Sequence, residues 1–188
     1  MLLEKKPQKS KRIYHMRFSP KFLTKELAKI AVQQVLAAVM DPSSPLSTLI
    51  KRQACHIVIV VPSMVDQAVA GHAVWHAGPL FPFVLYEQSV GNRESWTAKY
   101  DEVAHCKALQ LWYERSDGAT DIMPHLLFTG DTPYWGGVRR GGIVVTCSGI
   151  QPWFDRMIAG MVADMIIALA YNAWMTSEDK KSGVDFLT

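Results

Sequence analysis

Residues 55–61, CHIVIVV, decide the fold class of this chain of 188 residues. The run is continuous, apolar and rich in β-branched side chains, which is typical of a strand at the centre of a sheet. Residues 62–66, PSMVD, predict a turn, and residues 67–76 then alternate as an antiparallel partner strand does. A second β-branched strand is predicted at residues 143–147, IVVTC.

Three predicted helices accompany these strands. Apolar residues recur at helical spacing in residues 22–40, and the segments 94–114 and 153–174 are also predicted to be helical. A short strand is expected near residues 83–86, and residues 130–142 predict a glycine-rich loop. The order lacks the alternation of a parallel βαβ fold. We therefore predict an α+β domain with an antiparallel sheet flanked by helices.

The composition is that of a globular protein with one domain. Hydrophobic residues make up 49% of the chain and charged residues 20%, so a substantial core is expected. Basic residues gather in residues 1–19, which predicts a basic N-terminal arm ahead of a domain at residues 20–188. The arm either contacts acidic partners, stays solvated or lies on a neighbouring subunit. No basic stripe with interleaved aromatic residues follows, so nucleic acid is not an expected partner.

Cysteine usage and hydropathy indicate a cytoplasmic protein. Cys55, Cys106 and Cys147 form no CxxC pair, which favours buried thiols in a reducing compartment. The N-terminus lacks the apolar segment of a secretory signal. The longest uncharged stretch of the last helix, residues 165–177, is too short to span a bilayer. No membrane partner is therefore expected.

The last predicted helix, residues 153–174, is apolar on nearly all sides. A surface helix of a monomer has a polar face. Burial against the sheet on one side and a second subunit on the other explains the pattern, and methionine and tryptophan are favoured in such contact surfaces. We therefore expect a homo-oligomer.

Lys107 lies in the middle of the apolar stripe of the predicted helix at residues 94–114. At 100° per residue it falls within an arc of about 60° that also holds Trp96, Tyr100 and Leu111. An inward ammonium group needs an anionic partner, a hydrogen-bonding cage or a pocket opening. Lys107 therefore either belongs to a ligand site or pairs with an acidic side chain or helix carbonyls at a subunit interface.

Three motifs, in order, resemble those of one family. Residues 103–108, VAHCKA, resemble an I-A-x-x-K-A segment; residues 134–138, YWGGV, resemble a glycine-rich segment before the last strand; and residues 148–159, SGIQPWFDRMIA, resemble S-G-G-x-P-x-x-D-x-x-I-A. Over residues 23–170 the chain resembles the haem-binding or haem-degrading proteins of the GlcG/HbpS-like family. The resemblance implies a profilin-like α/β/α sandwich on a five-stranded antiparallel sheet, assembled as dimers or larger rings.

The chain departs from the family pattern in the segment before the last helix. Thr146 and Ile150 stand where the family has glycines, and the glycine run before that strand is reduced to two. These changes would reshape a pocket, so the ligand is not fixed by the resemblance.

The candidate ligand site combines Lys107 with the glycine-rich loop. Consecutive glycines let backbone N–H groups approach an anion, the lysine supplies charge, and an arginine adds a fork for carboxylates. Neighbouring aromatic rings offer a surface for a flat ligand. The expected ligand is a small anionic or aromatic molecule, with haem implied by the resemblance, and the candidate residues are Lys107, Gly136, Gly137, Arg139, Tyr134 and Trp135.

Histidines are the axial candidates if haem iron is bound, because imidazole ligates iron. The candidates are His72, His76 and His105. His72 and His76 share a strand face but are about 13 Å apart along the strand, so one ion cannot bridge them. No histidine has a ligand-spaced partner in the sequence, so no metal site is assigned.

An enzyme is the alternative function. A desolvated Lys107 has the chemistry of a base or an amine nucleophile toward a small carbonyl or aromatic acid substrate. Ser148 does not lie in a G-x-S-x-G nucleophile motif and is expected to cap the last helix or to lie in a turn. Asp155 is expected to interact with the dipole of that helix.

Overall fold

The computed structural model describes residues 17–65, 80–119, 123–185 and 187. Most of the predicted N-terminal arm and the predicted strand at residues 67–76, with His72 and His76, lie outside these ranges. Five strands are described: β1 (Arg17–Phe18), β2 (Cys55–Val65), β3 (Phe81–Val90), β4 (Gly137–Arg140) and β5 (Ile143–Ser148). The α-helices are α1 (Lys25–Met40), α2 (Tyr100–Trp112), α3 (Pro152–Thr176) and α4 (Glu178–Ser182).

Four of the strands form an antiparallel sheet in the order β3-β2-β5-β4. The two-residue β1 pairs with the far end of β2, where Phe18 lies opposite Met64. The α+β class and the antiparallel sheet are thus confirmed, and CHIVIVV is the central strand as predicted. The described sheet is four-stranded apart from the short β1, so the full five-stranded sheet implied by the resemblance is not confirmed.

Helices cover both faces of the sheet because β2 is apolar on both sides. Ile57 and Ile59 belong to the larger core, which α1 and α3 complete. Val58 and Val60 point to the opposite face and pack with Ala104 and other residues of α2. Successive side chains of a strand face opposite ways, so an unbroken β-branched run fits a position between two helical layers.

The predicted turn at residues 62–66 is wrong, because β2 continues to Val65 and β3 is longer than the expected residues 83–86. Pro62 and Ser63 pair with the start of β3. β5 pairs with β2 only as far as Val60, so the missing N–H of Pro62 costs no hydrogen bond to β5.

The predicted loop at residues 130–142 is also partly wrong, since it contains β4, which pairs with β5 through a turn at residues 141–142. Two helices start later than predicted for local reasons. The Thr24 hydroxyl accepts the N–H of Leu27 and begins α1 at Lys25. The Asn92 side chain caps a separate 3₁₀ turn at Arg93–Ser95, so α2 begins only at Tyr100.

The long helix α3 spans slightly more than the predicted residues 153–174, and the short α4 follows it. Ser148 does not cap it, because Ser148 is still in β5 and Gln151 is the N-cap residue. By length and composition α3 is apolar enough to cross a membrane, with 33% of its most apolar window buried inside the protein. Its buried residues pack against α1, β4 and β5.

Substitution of the central strand tests the two-layer core. Ile59 is fully buried, whereas Ile30 on α1 is 45% exposed. Ile59→Ala should lower the free energy of unfolding by about 2–5 kcal/mol because it leaves a cavity. Ile30→Ala should cost less than about 1 kcal/mol. Urea denaturation of both variants measures this, and equal losses would contradict the described packing.

Candidate functional site

The ammonium group of Lys107 is buried, as the sequence predicts, with 4% of the residue exposed. Its Nζ donates a hydrogen bond of 2.9 Å to the carbonyl oxygen of Cys147 on β5 and lies 3.4 Å from Asp155 Oδ2 on α3. The Asp155 carboxylate also accepts the N–H of Ile150 at 3.2 Å. Lys107 therefore pairs with an acidic side chain, which was one of the two alternatives, and that side chain belongs to the same chain rather than to a second subunit.

Asp155 has a larger role than the expected interaction with the helix dipole. It lies in the first turn of α3 but is buried, and burial raises the pKa of its carboxyl although Lys107 and the Ile150 N–H act to lower that pKa. Burial likewise raises the pKa of the adjacent Cys147 thiol. The ion pair therefore lies inside the core rather than at a solvent-facing helix end.

Other atoms of the chain occupy the space beside the two glycines of the predicted anion loop. A Cβ on Gly136 would lie 2.6 Å from Asp155 Cβ and 3.2 Å from Lys107 Nζ, and the φ of +123° favours glycine there. A Cβ on Gly137 would meet Leu111 and Thr146 at 2.7 Å each. Lys107 and Gly136 do come together as predicted, but the anion between them is Asp155.

The predicted arginine forms its ion pair elsewhere. Arg139 is exposed and forms an ion pair with Glu114. Arg140, next to it, pairs with Asp164. Tyr134 is largely exposed and Trp135 is half-buried. The structure therefore does not bring the arginine fork to the ammonium group.

A different site, the α2 cavity, lies on the side of the sheet that α2 covers. Its volume is about 430 Å³. Side chains from β2, β3, α2 and the 3₁₀ turn before α2 converge on it. The lining residues are His56, Glu87, Ser89, Arg93, Asp101, Glu102 and His105.

His56 forms the buried wall of the α2 cavity, with 5% of the residue exposed. Its Nδ1 lies 2.9 Å from the hydroxyl of Ser89, the residue opposite it on β3. Its Nε2 is buried, has no hydrogen-bond partner among the described residues and lies 3.5 Å from Glu87 Oε2. Burial lowers the pKa of His56, which favours the neutral imidazole at pH 7.

His105 reaches the same carboxylate from α2. Its Nε2 lies 2.6 Å from Glu87 Oε2, and both side chains are partly exposed. Partial burial would by itself raise the pKa of Glu87, but the hydrogen bond and charge of His105 and the nearby His56 imidazole together lower that pKa. Glu87 is therefore ionised at neutral pH and lies between two imidazoles.

The rim of the α2 cavity carries paired charges. Asp101 forms an ion pair with Arg93, whose guanidinium also lies over the Trp96 ring at 5.5 Å. Glu102 lies 3.0 Å from Lys99. Glu87 differs from these rim carboxylates, because its partners among the described residues are the two histidines alone.

Sequence reasoning found only part of this cluster. His105 was an axial candidate for haem iron, but His56 and Glu87 were missed because strand pairing and helix packing, not sequence spacing, bring them to His105. One signal was present. A histidine in an otherwise apolar central strand, on the same face as Val58, points toward the layer that α2 occupies.

Comparisons with family models, with curated proteins and with solved structures gave no match to this chain. The GlcG/HbpS-like resemblance therefore stays a prediction that rests on its motifs.

Removing one charge of the buried pair should destabilise the protein more than removing both. Lys107→Met leaves the Asp155 carboxylate buried without its cation and should cost about 3–5 kcal/mol of unfolding free energy. Adding Asp155→Asn keeps an acceptor for the Ile150 N–H and should recover most of that loss. Lys99→Met, at an exposed pair, is the matched control and should change stability little. Urea titrations of the three variants measure this, and a double variant as unstable as Lys107→Met would contradict it.

Proposed function

We propose that this chain is a binding protein for a small hydrophilic ligand and that the ligand occupies the α2 cavity. The observation that carries the proposal is the convergence of seven polar side chains on one cavity of about 430 Å³. Ligand sites in proteins have volumes of this order, and most have apolar walls with a few polar groups. A lining made of polar side chains instead suits a small hydrophilic ligand. The site thus differs from the predicted one, although α2 supplies residues to both.

The charges of the α2 cavity favour a cationic ligand over the anionic one expected from the sequence. Arg93 and Lys99 each pair with a rim carboxylate, so Glu87 supplies the negative charge that faces the cavity without a full cation beside it. A second carboxylate brought to Glu87 would be repelled. An ammonium group or a metal cation would be attracted.

The α2 cavity does not suit haem. Its lining side chains are all polar, whereas a flat macrocycle needs apolar walls on both faces. His105, an axial candidate, lies there among these polar side chains. For His72 and His76, outside the described residues, axial ligation stays a prediction.

The enzyme alternative gains little from the position of Lys107. Its amine is 4% exposed and is bound by Asp155 and the Cys147 carbonyl. A carbonyl substrate would have to enter the core and separate a buried ion pair, which is costly. We therefore favour binding over a reaction at this lysine.

We further propose a homo-oligomer that forms through the outer side of α3, in keeping with the profilin-like sandwich and ring assembly that the resemblance implies. Four exposed apolar side chains, Trp153, Ile167, Tyr171 and Met175, fall within an arc of about 80° at 100° per residue. Three of them, Ile167, Tyr171 and Met175, lie on successive turns near the end of α3, whereas the exposed Asp164, paired with Arg140, separates them from Trp153. An apolar patch of this kind is typical of contact surfaces. A cytoplasmic location stays a prediction.

The charge of the ligand can be tested with three probes. Putrescine, a small dication, should shift the imidazole NMR signals of His56 and His105, whereas citrate should not. Hemin at one equivalent should leave the imidazole signals of His56 and His105 unchanged. Glu87→Gln should weaken the putrescine response because it removes the negative charge at the cavity, and Glu114→Gln, distant in sequence and paired with Arg139, serves as the control. A response of these signals to citrate alone, or to hemin at one equivalent, would overturn the proposal.

The α3 contact can be tested by adding charge to it. Tyr171 is 65% exposed on α3, and Tyr113, 57% exposed after α2, is the matched control. Tyr171→Glu should lower the mass measured by light scattering after gel filtration, because a buried carboxylate opposes association. Tyr113→Glu should leave the mass unchanged. A monomeric wild-type protein would contradict the oligomer.

A further inference from the structure

Three metal-ligating side chains meet at the inner end of the α2 cavity. His56 comes from β2, Glu87 from β3 and His105 from α2. One ligand atom of each lies within 4.8 Å of the others. Around a tetrahedral Zn²⁺ ion with bonds of about 2.0–2.2 Å, ligand atoms are separated by about 3.4 Å. The distance of 3.5 Å between His56 Nε2 and Glu87 Oε2 matches that separation, whereas the 2.6 Å between His105 Nε2 and Glu87 Oε2 is a hydrogen bond that a metal ion would have to replace.

The buried nitrogen of His56 points to a missing partner. Nε2 of His56 is buried without a hydrogen bond, which is costly for a polar atom in a folded protein. Ser89 holds the opposite ring nitrogen at 2.9 Å. When Nδ1 carries the proton and donates to this hydroxyl, the Nε2 lone pair faces Glu87 and the cavity. Metal-bound histidines are oriented by such an outer hydrogen bond.

The charge at this point also calls for a cation. The Glu87 carboxylate faces two imidazoles, and the nearby cations Arg93 and Lys99 are engaged with Asp101 and Glu102. A metal ion between the three side chains would neutralise Glu87 and give His56 Nε2 its partner. A single metal ion would thus account for both the charge of Glu87 and the unpaired nitrogen of His56.

We infer that His56, Glu87 and His105 bind one divalent transition-metal ion. The inference rests on the proposed function, because it names the ligand of the same cavity. Two imidazoles and a single carboxylate suit Zn²⁺, Co²⁺, Ni²⁺ or Fe²⁺ rather than Mg²⁺ or Ca²⁺, which prefer sets of oxygen ligands.

The remaining coordination positions face the cavity. Three protein ligands leave at least one position for water or a small molecule, as in metal sites that bind or activate a ligand. To coordinate through Nε2, His105 gives the proton it shares with Glu87 to its other ring nitrogen or to solvent. Metal binding at such sites releases protons for this reason.

The test uses the full chain and Co²⁺ as the probe, because cobalt bound to nitrogen ligands gives visible absorption. After dialysis against a chelator, titration should show one equivalent bound, and excess Mg²⁺ should not compete. Zn²⁺ should displace the cobalt at one equivalent. No absorption change, or displacement by Mg²⁺, would overturn the inference.

Variants assign the ligands. His56→Gln, Glu87→Gln and His105→Gln should each abolish or strongly weaken Co²⁺ binding. Ser89→Ala, which removes only the outer hydrogen bond, should weaken it about 10- to 100-fold. His125→Gln, at an exposed histidine outside the cavity, is the control and should bind like the wild type. Equal effects at His125 and at the cavity histidines would overturn the assignment.

Two further measurements distinguish loss of folding from loss of metal binding, and failure of the metal inference from failure of the proposed function. His105 is partly exposed, so His105→Gln should keep the wild-type circular dichroism even if the buried His56→Gln unfolds. If putrescine shifts the cavity resonances but Co²⁺ does not bind, the metal inference fails and the proposed function stands. If neither ligand binds at the cavity, both fail.

Discussion

The buried ion pair between Lys107 and Asp155 joins α2 to two consecutive elements, β5 and α3, that come later in the chain. Lys107 extends from α2 to a carbonyl of β5, and Asp155 reaches it from the first turn of α3 while also accepting the N–H of Ile150. The glycine at position 136 leaves room for both side chains. A buried charge must have its partner in place, so this contact fixes how the helices on the two faces of the sheet are set relative to β5.

The helix α2 thereby contacts two different parts of the protein with two of its faces. Lys107 and His105 are two residues apart, or about 200° around the helix axis, so they face different neighbours. Lys107 is directed to β5 and α3, whereas His105 is directed to β3 and the α2 cavity. The ion pair sets the position of the helix, and the position of the helix sets where His105 stands relative to His56 and Glu87.

The sequence predicts local features of this protein better than contacts between distant segments. The central strand, the three long helices and the inward lysine follow from periodicity and burial, which depend on nearby residues. Asp155 as the partner of Lys107, and the meeting of His56 with Glu87, depend on the register of β2 with β3 and on the packing of two helices. The glycine pair shows the same limit, because a loop that can approach an anion and a loop that makes room for a buried carboxylate have the same sequence.

The β2–β3 ladder has a consequence for the dynamics of the helix layer. The register places His56 opposite Ser89, so the backbone pairing of β2 with β3 positions two walls of the cavity independently of α2. Of the three proposed ligands, only His105 comes from the helix. A ligand that binds both His105 and the side chains of β2 and β3 connects α2 to the sheet. Local unfolding of α2 then becomes less frequent as the occupancy of the site rises. The rate of amide hydrogen exchange along α2 would then report the occupancy of the site, even for a ligand that has no spectroscopic signal of its own.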